Sequence, residues 1–283
     1  GINTLYYSRL QRFSEEYREN YMSIFGLNNA KRILEIGCGP GALVKRLRAW
    51  YPDCEIVAID RDLDFLRFAE EQVKGVHFLE GDATALPFEN KSFNAVISYT
   101  VQEHVEPDIF FSEQFRILKE AGVCIVVSCR PGSGVERKAN CLIETPREQR
   151  IWGKAEKRYL EQSRQRRVGA YWLNEQELPL SMEKAGFKKV STAYIVTEAT
   201  PDNPKNSEME AKAMIEEGRL AELDSMENLH RIAEDLISEE DFQFLEAEIE
   251  RRYNERIRLY DAGQKQWDCQ IALNMIVRGE KPD

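Results

Sequence analysis

The segment Glu35-Ile36-Gly37-Cys38-Gly39-Pro40-Gly41 sets an acid before three glycines at alternate positions. Such glycines let a backbone turn sharply and approach a bound group closely, and a helix starting behind them offers free N–H donors. Gly37-x-Gly39-x-x-Ala42 also satisfies the dinucleotide pattern, so the glycines alone leave the ligand open. Asp60 comes 19 residues after Gly41, where a carboxylate can accept hydrogen bonds from ribose hydroxyls of NAD or another adenosyl cofactor. The competing reading has Asp60 merely cap the next helix. Gln102-Glu103-His104-Val105 supplies an imidazole, whose ordinary pKa of about 6.5 suits it to take a proton from an acceptor hydroxyl or amine. Here the competing reading is that His104 only orients its loop. Tyr6, Tyr7, Tyr17 and Tyr21 could offer faces to a cation, yet Phe13, Tyr17 and Tyr21 at i, i+4, i+8 describe one packed helix face. Six cysteines without a C-x-x-C pair, and only three histidines, give no metal site; the thiols read as reduced and buried.

These groups need strands and helices to hold them. Ile33–Ile36, Glu55–Asp60, Val76–Leu79, Phe93–Tyr99 and Val123–Cys129 are short apolar runs, separated by helical patterns such as Leu43, Leu47 and Trp50. That alternation means βαβ units around a buried parallel sheet, a doubly wound α/β fold. Residues 135–167 read as helical and basic, with ten Lys/Arg against five Glu. Asn174 and Glu177 make a capping box for a helix ending near Gly186, and 190–197 is a sixth strand. Residues 208–262 read as two or three helices, with starts at Ser225 and Ser238, and 270–277 is the last strand.

The 283 residues carry a net charge of −10, which lacks the basic field that a general nucleic-acid binder needs. No uncharged run exceeds 11 positions, against about 20 for a membrane helix. Gly1-Ile2-Asn3 shows neither the basic nor the apolar region of a secretory leader, and the reduced cysteines make the cytoplasm the expected compartment.

Past the glycine loop, Glu80-Gly81-Asp82-Ala83 follows the third strand and Leu86-Pro87-Phe88-Glu89-Asn90-Lys91-Ser92-Phe93-Asn94 leads into the fourth. From about Ile33 to Arg130 the chain resembles the class I S-adenosylmethionine-dependent methyltransferases of the small-molecule, type 11-like kind. The resemblance resumes weakly at 172–196 and 270–281. It implies a Rossmann-like methyltransferase fold with a seven-stranded, mostly parallel sheet, S-adenosylmethionine as cofactor and a small-molecule acceptor. Carried over by position, Glu35, Gly37, Cys38, Gly39 and Gly41 would face the methionine and ribose part. Asp60 would hold the ribose hydroxyls with Arg61 near the adenine, Asp82 would accept from the adenine amino group beside Ala83, and Ser98, Tyr99 and Thr100 would lie under the sulfonium end. Two positions depart from the family: Lys119-Glu120-Ala121-Gly122 replaces a K-P-G-G turn, and Asn94 replaces an aspartate.

The expected organisation is an N-terminal helical segment over 1–30, a cofactor-binding core over 31–134, a basic helical insertion over 135–170, core again over 171–199, an acidic helical insertion over 200–265 and the last core strand over 266–283. Local net charges of +5 over 135–167 and −10 over 208–262 should draw the insertions together as a lid over the acceptor. A dimer arm is the competing reading of the acidic helices. The competing functions are an NAD(P)-dependent oxidoreductase, which the glycines and Asp60 permit, and a non-catalytic cofactor-binding scaffold.

Overall fold

A computed structural model describes residues 2–130, 132–165 and 168–283, with Lys157 and Ser163 described by their backbone only. Helices α1 (Ile2–Arg12) and α2 (Arg18–Phe25) precede β1 (Arg32–Ile36), α3 (Ala42–Trp50), β2 (Glu55–Asp60), α4 (Leu63–Gln72), β3 (His77–Glu80) and β4 (Phe93–Tyr99). Then come α5 (Pro107–Ile117), β5 (Leu118–Cys129), β6 (Val135–Arg137), α6 (Pro146–Gln165), α7 (Glu177–Lys184), β7 (Lys188–Ala199), α8 (Glu208–Ala233), α9 (Glu239–Asp261) and β8 (Cys269–Glu280). The chain divides into a sheet unit (Arg9–Ser133, Gly169–Thr197, Ala272–Asp283) and a helical unit (Gly1–Ser8, Gly134–Val168, Glu198–Ile271).

In the sheet unit the strand order is β3-β2-β1-β4-β5-β8, with β7 also paired to β8. β1 runs parallel to β2 and β4, β4 parallel to β5, and β8 antiparallel to β5, as in Leu34↔Val57 and Val126↔Val277. Both faces of the central strands are covered, which explains their unbroken apolar runs. Ile33, Ala95, Ile97, Ile125 and Val127 pack with Leu43, Leu47 and Trp50 on one face. On the other, Leu34, Val96, Cys124 and Val126 pack with Phe110, Phe111, Leu178 and Met182. Asn94, in the family's aspartate position, accepts from the N–H groups of Lys31 and Arg32 and so pins the entry to β1.

The helical unit has its own core, including Leu142, Ile151, Ala155, Ile215, Leu229, Leu245 and Ile249. The basic and acidic segments meet here through Arg147 with Glu240 and Asp241, Lys154 with Asp241, Arg158 with Asp235, and Lys138 with Glu222. Beneath them Arg252, fully buried, pairs with buried Glu148 at 3.0 Å and with Glu222, and donates to the Leu142 carbonyl.

The structure corrects four expectations. Among the described residues there are eight strands rather than seven, because Val135–Arg137 pairs with the start of β8 (Val135↔Ile271). Residues 135–167 are therefore not one helix: α6 begins only at Pro146, whose ring fixes φ for a first helical turn and forbids a helix running through from upstream. Arg166 and Arg167 of that segment lie outside the described residues. Ser225 starts nothing, since α8 is continuous from its capping box at Ser207 and Glu210, and the Ser225 hydroxyl donates back to the Ala221 carbonyl. Phe13 and Tyr21 share no helix face either, because the chain breaks at Ser14; they meet across the break with ring centroids 4.9 Å apart.

Candidate active site

The candidate residues collect in the sheet unit, at the carboxyl ends of β1, β2 and β4, where doubly wound sheets place their ligands. The glycine loop is tied to its neighbours by backbone bonds: Cys38 N–H donates to the Ile59 carbonyl at 3.0 Å and Gly39 N–H to Asp60 Oδ2 at 2.7 Å. Its glycines differ in what they answer to. A side chain at Gly37 would strike Val101, 2.4 Å from a built Cβ, so this position serves packing. Gly39, at φ +52°, would meet only the end of the flexible Arg9 side chain, so a Cβ there would fill the cradle itself. Cys38 turns its thiol into the core beside the loop, so only its backbone belongs to the cradle.

Glu35, at the end of β1, is 1% exposed, and its Oε2 has no hydrogen-bond partner among the described residues. Burial, and next to it the charge of Asp60, push its carboxyl well above the usual range, opposed by Arg9. An orphaned buried carboxylate oxygen beside a cradle of glycines is a group held ready for a donor brought by a ligand. Asp60 Oδ1 accepts from Asp62 N–H, yet the helix cap is Asp62, which accepts from Asp64 and Phe65 N–H groups. The capping duty falls to Asp62, and Asp60, with two of its lone-pair sites used, keeps capacity for hydroxyl donors. Arg61 is exposed beside it.

Asp82 accepts from both the N–H and the hydroxyl of Thr84 through Oδ1, which holds its pKa below the usual value. Asp82 thereby caps its own loop, while Oδ2 makes no hydrogen bond among the described residues. Ala83 follows it, packed at the edge of the core. Ser98 is fully buried with its Oγ unpartnered. Tyr99 turns the other way: its ring is buried against Phe13 and its hydroxyl accepts from Arg12 at 2.7 Å. Thr100, at φ +54°, ends the strand, and its Oγ1 accepts from Arg9 Nη2.

His104 lies in the short 3-10 turn Gln102–His104, and its Nδ1 accepts from Gly169 N–H at 3.0 Å. Gln102 and the Glu103 backbone tie the same turn to Tyr171. Desolvation, then the guanidiniums of Arg61 and Arg9, lower the pKa of His104. The ring is therefore neutral, with its proton on Nε2, and neither nitrogen offers a lone pair to an acceptor proton. This geometry matches the loop-orienting role and argues against the base. Sequence reasoning missed Arg9, which joins Thr100 and the glycine loop across 91 positions of sequence. It also missed Arg130 after β5, buried, donating to the Leu173 carbonyl and set over the Trp172 ring. Among the described residues no His, Cys, Asp or Glu cluster could hold a metal, and no helix is long and apolar enough to cross a membrane.

Residues 34–126 match the family described as "Methyltransferase domain". The chain is 30% identical over 120 residues to a fatty-acid O-methyltransferase of Mycolicibacterium smegmatis, covering 41% of this chain and 43% of that protein. It is 30% identical over 116 residues to a demethylmenaquinone methyltransferase of Renibacterium salmoninarum, covering 40% and 47%. The chain thus spans less than half the length of these relatives. Phosphoethanolamine N-methyltransferase 2 of Haemonchus contortus, solved in complex with S-adenosyl-L-methionine, superposes with TM-score 0.52 at 18% identity, over 95% of this chain and 53% of that one. The [4+2]-cyclase SpnF superposes with TM-score 0.51 at 14% identity, over 94% and 81%. At such identities the likeness speaks for the fold alone. Over residues 34–126, about a third of its length, the chain is thus similar to a methyltransferase domain.

Proposed function

We propose that this protein transfers a methyl group from S-adenosylmethionine to a small-molecule acceptor. The observation that carries the reading is the unpartnered buried Oε2 of Glu35 facing a cradle that a side chain at Gly39 would fill, with Asp60 at the next strand end. These residues fit the cofactor: Glu35 suits its ammonium, the Gly39 backbone admits its close approach, Asp60 suits its ribose hydroxyls and Asp82 its adenine amino group. Bound there, the cofactor would supply an electrophilic methyl on its sulfonium. The protein's own contribution is to orient the two reactants and to exclude water from between them. The His104 turn, held by Gly169 and Tyr171, shapes that end without carrying a proton.

The names of the matched relatives, a fatty-acid O-methyltransferase and a demethylmenaquinone methyltransferase, support a small organic acceptor. We assign acceptor choice to the helical unit, because the matched segment 34–126 and every proposed cofactor residue lie in the sheet unit. Calorimetric titration with S-adenosylhomocysteine and with NADPH tests the reading, followed by turnover of labelled cofactor in a metabolite extract. Binding of the first, none of the second, and transfer of label are expected. Binding of NADPH alone would install the oxidoreductase, and binding without transfer in any extract would install the scaffold.

A further inference from the structure

Arg9 reaches the glycine cradle from α1. Its Nη2 donates to Thr100 Oγ1 at 3.1 Å, and its guanidinium carbon stands 5.4 Å from the centroid of the Tyr99 ring. A Cβ built on Gly39 would come within 2.6 Å of its Nη1. The side chain therefore touches both banks of the cradle, the loop after β1 and the end of β4. Arg9 is half-buried and makes no salt bridge among the described residues. Glu35, within its electrostatic reach, is buried and equally without an ion pair. A guanidinium without an ion pair beside a buried carboxyl with an unmet oxygen, in one partly dehydrated cradle, costs free energy unless a ligand brings a partner for each. The amino-acid end of S-adenosylmethionine carries both partners, an ammonium and a carboxylate on one carbon.

We propose that Arg9 binds the carboxylate of the cofactor's amino-acid end while Glu35 takes its ammonium, which makes the N-terminal helix part of the cofactor site. The inference rests on the methyltransferase reading above. If Arg9 instead serves only to pack over the Tyr99 ring, cofactor affinity has no dependence on the carboxylate through this residue.

The test is a cycle that pairs a change in the protein with a change in the ligand. Calorimetry on the full chain compares S-adenosylhomocysteine with its decarboxylated analogue, which keeps the ammonium. The wild type should prefer the carboxylate form at least 10-fold, Arg9→Met should reduce that preference to within 2-fold, and Arg9→Lys should keep most of it. Because the readout is a ratio within one preparation, a partly destabilised variant still reports, and Arg9→Gln, which should lose the preference likewise, decides should Arg9→Met fail to fold. A wild type without preference, or a preference that survives Arg9→Met, overturns the proposal while leaving the cofactor assignment standing. A wild type that binds neither compound removes the methyltransferase reading and this inference with it.

Discussion

At the scale of single residues the site works by unmet hydrogen-bonding capacity. Glu35 is raised well above an ordinary glutamate by burial and by Asp60, so the free protein holds a proton there at pH values where an exposed carboxyl holds none. The raised acid favours folding less as pH climbs from the ordinary 4.5 toward its folded value, because ionising it in place is what costs. An arriving ammonium reverses that cost, so binding should expel the proton and affinity should rise with pH until Glu35 ionises unaided. Calorimetry at pH 6 in two buffers of different ionisation enthalpy should show proton release with S-adenosylhomocysteine and none in Glu35→Gln; equal heats in both buffers would place the ammonium elsewhere. His104 is shifted the opposite way, its lowered pKa keeping it neutral above about 6.5. His104→Gln should change turnover less than about 5-fold with no new inflection between pH 7 and 9, whereas loss of a true base would cost about 100-fold. The glycine loop and the placing of Glu35 and Asp60 at strand ends were legible in the sequence because they follow from local backbone pattern. Arg9 was not, since nothing in a tyrosine-rich helix signals a partner 91 residues away, and Asp60 could be told from a cap only once Asp62 was seen capping α4.

Elements were legible where pattern and capping agreed. Asn174 and Glu177 close the box before α7, and Ser238 caps α9, as their spacing implies. The failures were equally physical. Thr145 and Glu148 form an unremarked box at the start of α6, with Thr145 N–H donating to Glu148 Oε2 at 2.6 Å and Glu148 N–H to the Thr145 hydroxyl. Ser225 resembled a cap but sits mid-helix, where a hydroxyl can satisfy itself on the carbonyl one turn back. Glu148 serves twice, since its other oxygen meets the buried Arg252 guanidinium from α9. The exposed pairs between the basic and acidic segments contribute little each, whereas this buried pair punishes removal of one partner. Glu148→Gln should therefore destabilise the protein by about 1–3 kcal/mol, because it leaves Arg252 with Glu222 as its one remaining carboxylate in a dry core. Lys154→Gln, beside the more exposed Asp241 pair, should cost under about 1 kcal/mol. Urea unfolding of the two variants tests the ranking, and comparable losses would contradict the account of how α6 and α9 are joined.

Over the whole molecule, two cores divide the labour. The composition of 135–167 and 208–262 foretold mutual attraction, and those segments do share one core, yet charge alone carries no information about which face of a domain they serve. The sheet unit buries its own apolar residues on both faces of β1, β4 and β5 and contains Arg9, Glu35, Gly39, Asp60 and Asp82. Removing only the acidic helices would strip Leu142, Ile151 and Ala155 of their partners and invite aggregation. The informative variant therefore replaces both 138–165 and 200–268 with short Gly/Ser linkers, taking out α6, α8 and α9 together. Affinity for S-adenosylhomocysteine should stay within about 3-fold, since that amounts to under about 1 kcal/mol and no proposed cofactor contact is lost. Transfer to the acceptor supported by the full chain should disappear if the removed helices make the acceptor choice proposed for them. Retained turnover with an unchanged acceptor would show that the sheet unit alone selects its substrate. Lost dimerisation with retained turnover would identify the acidic helices as an assembly arm instead.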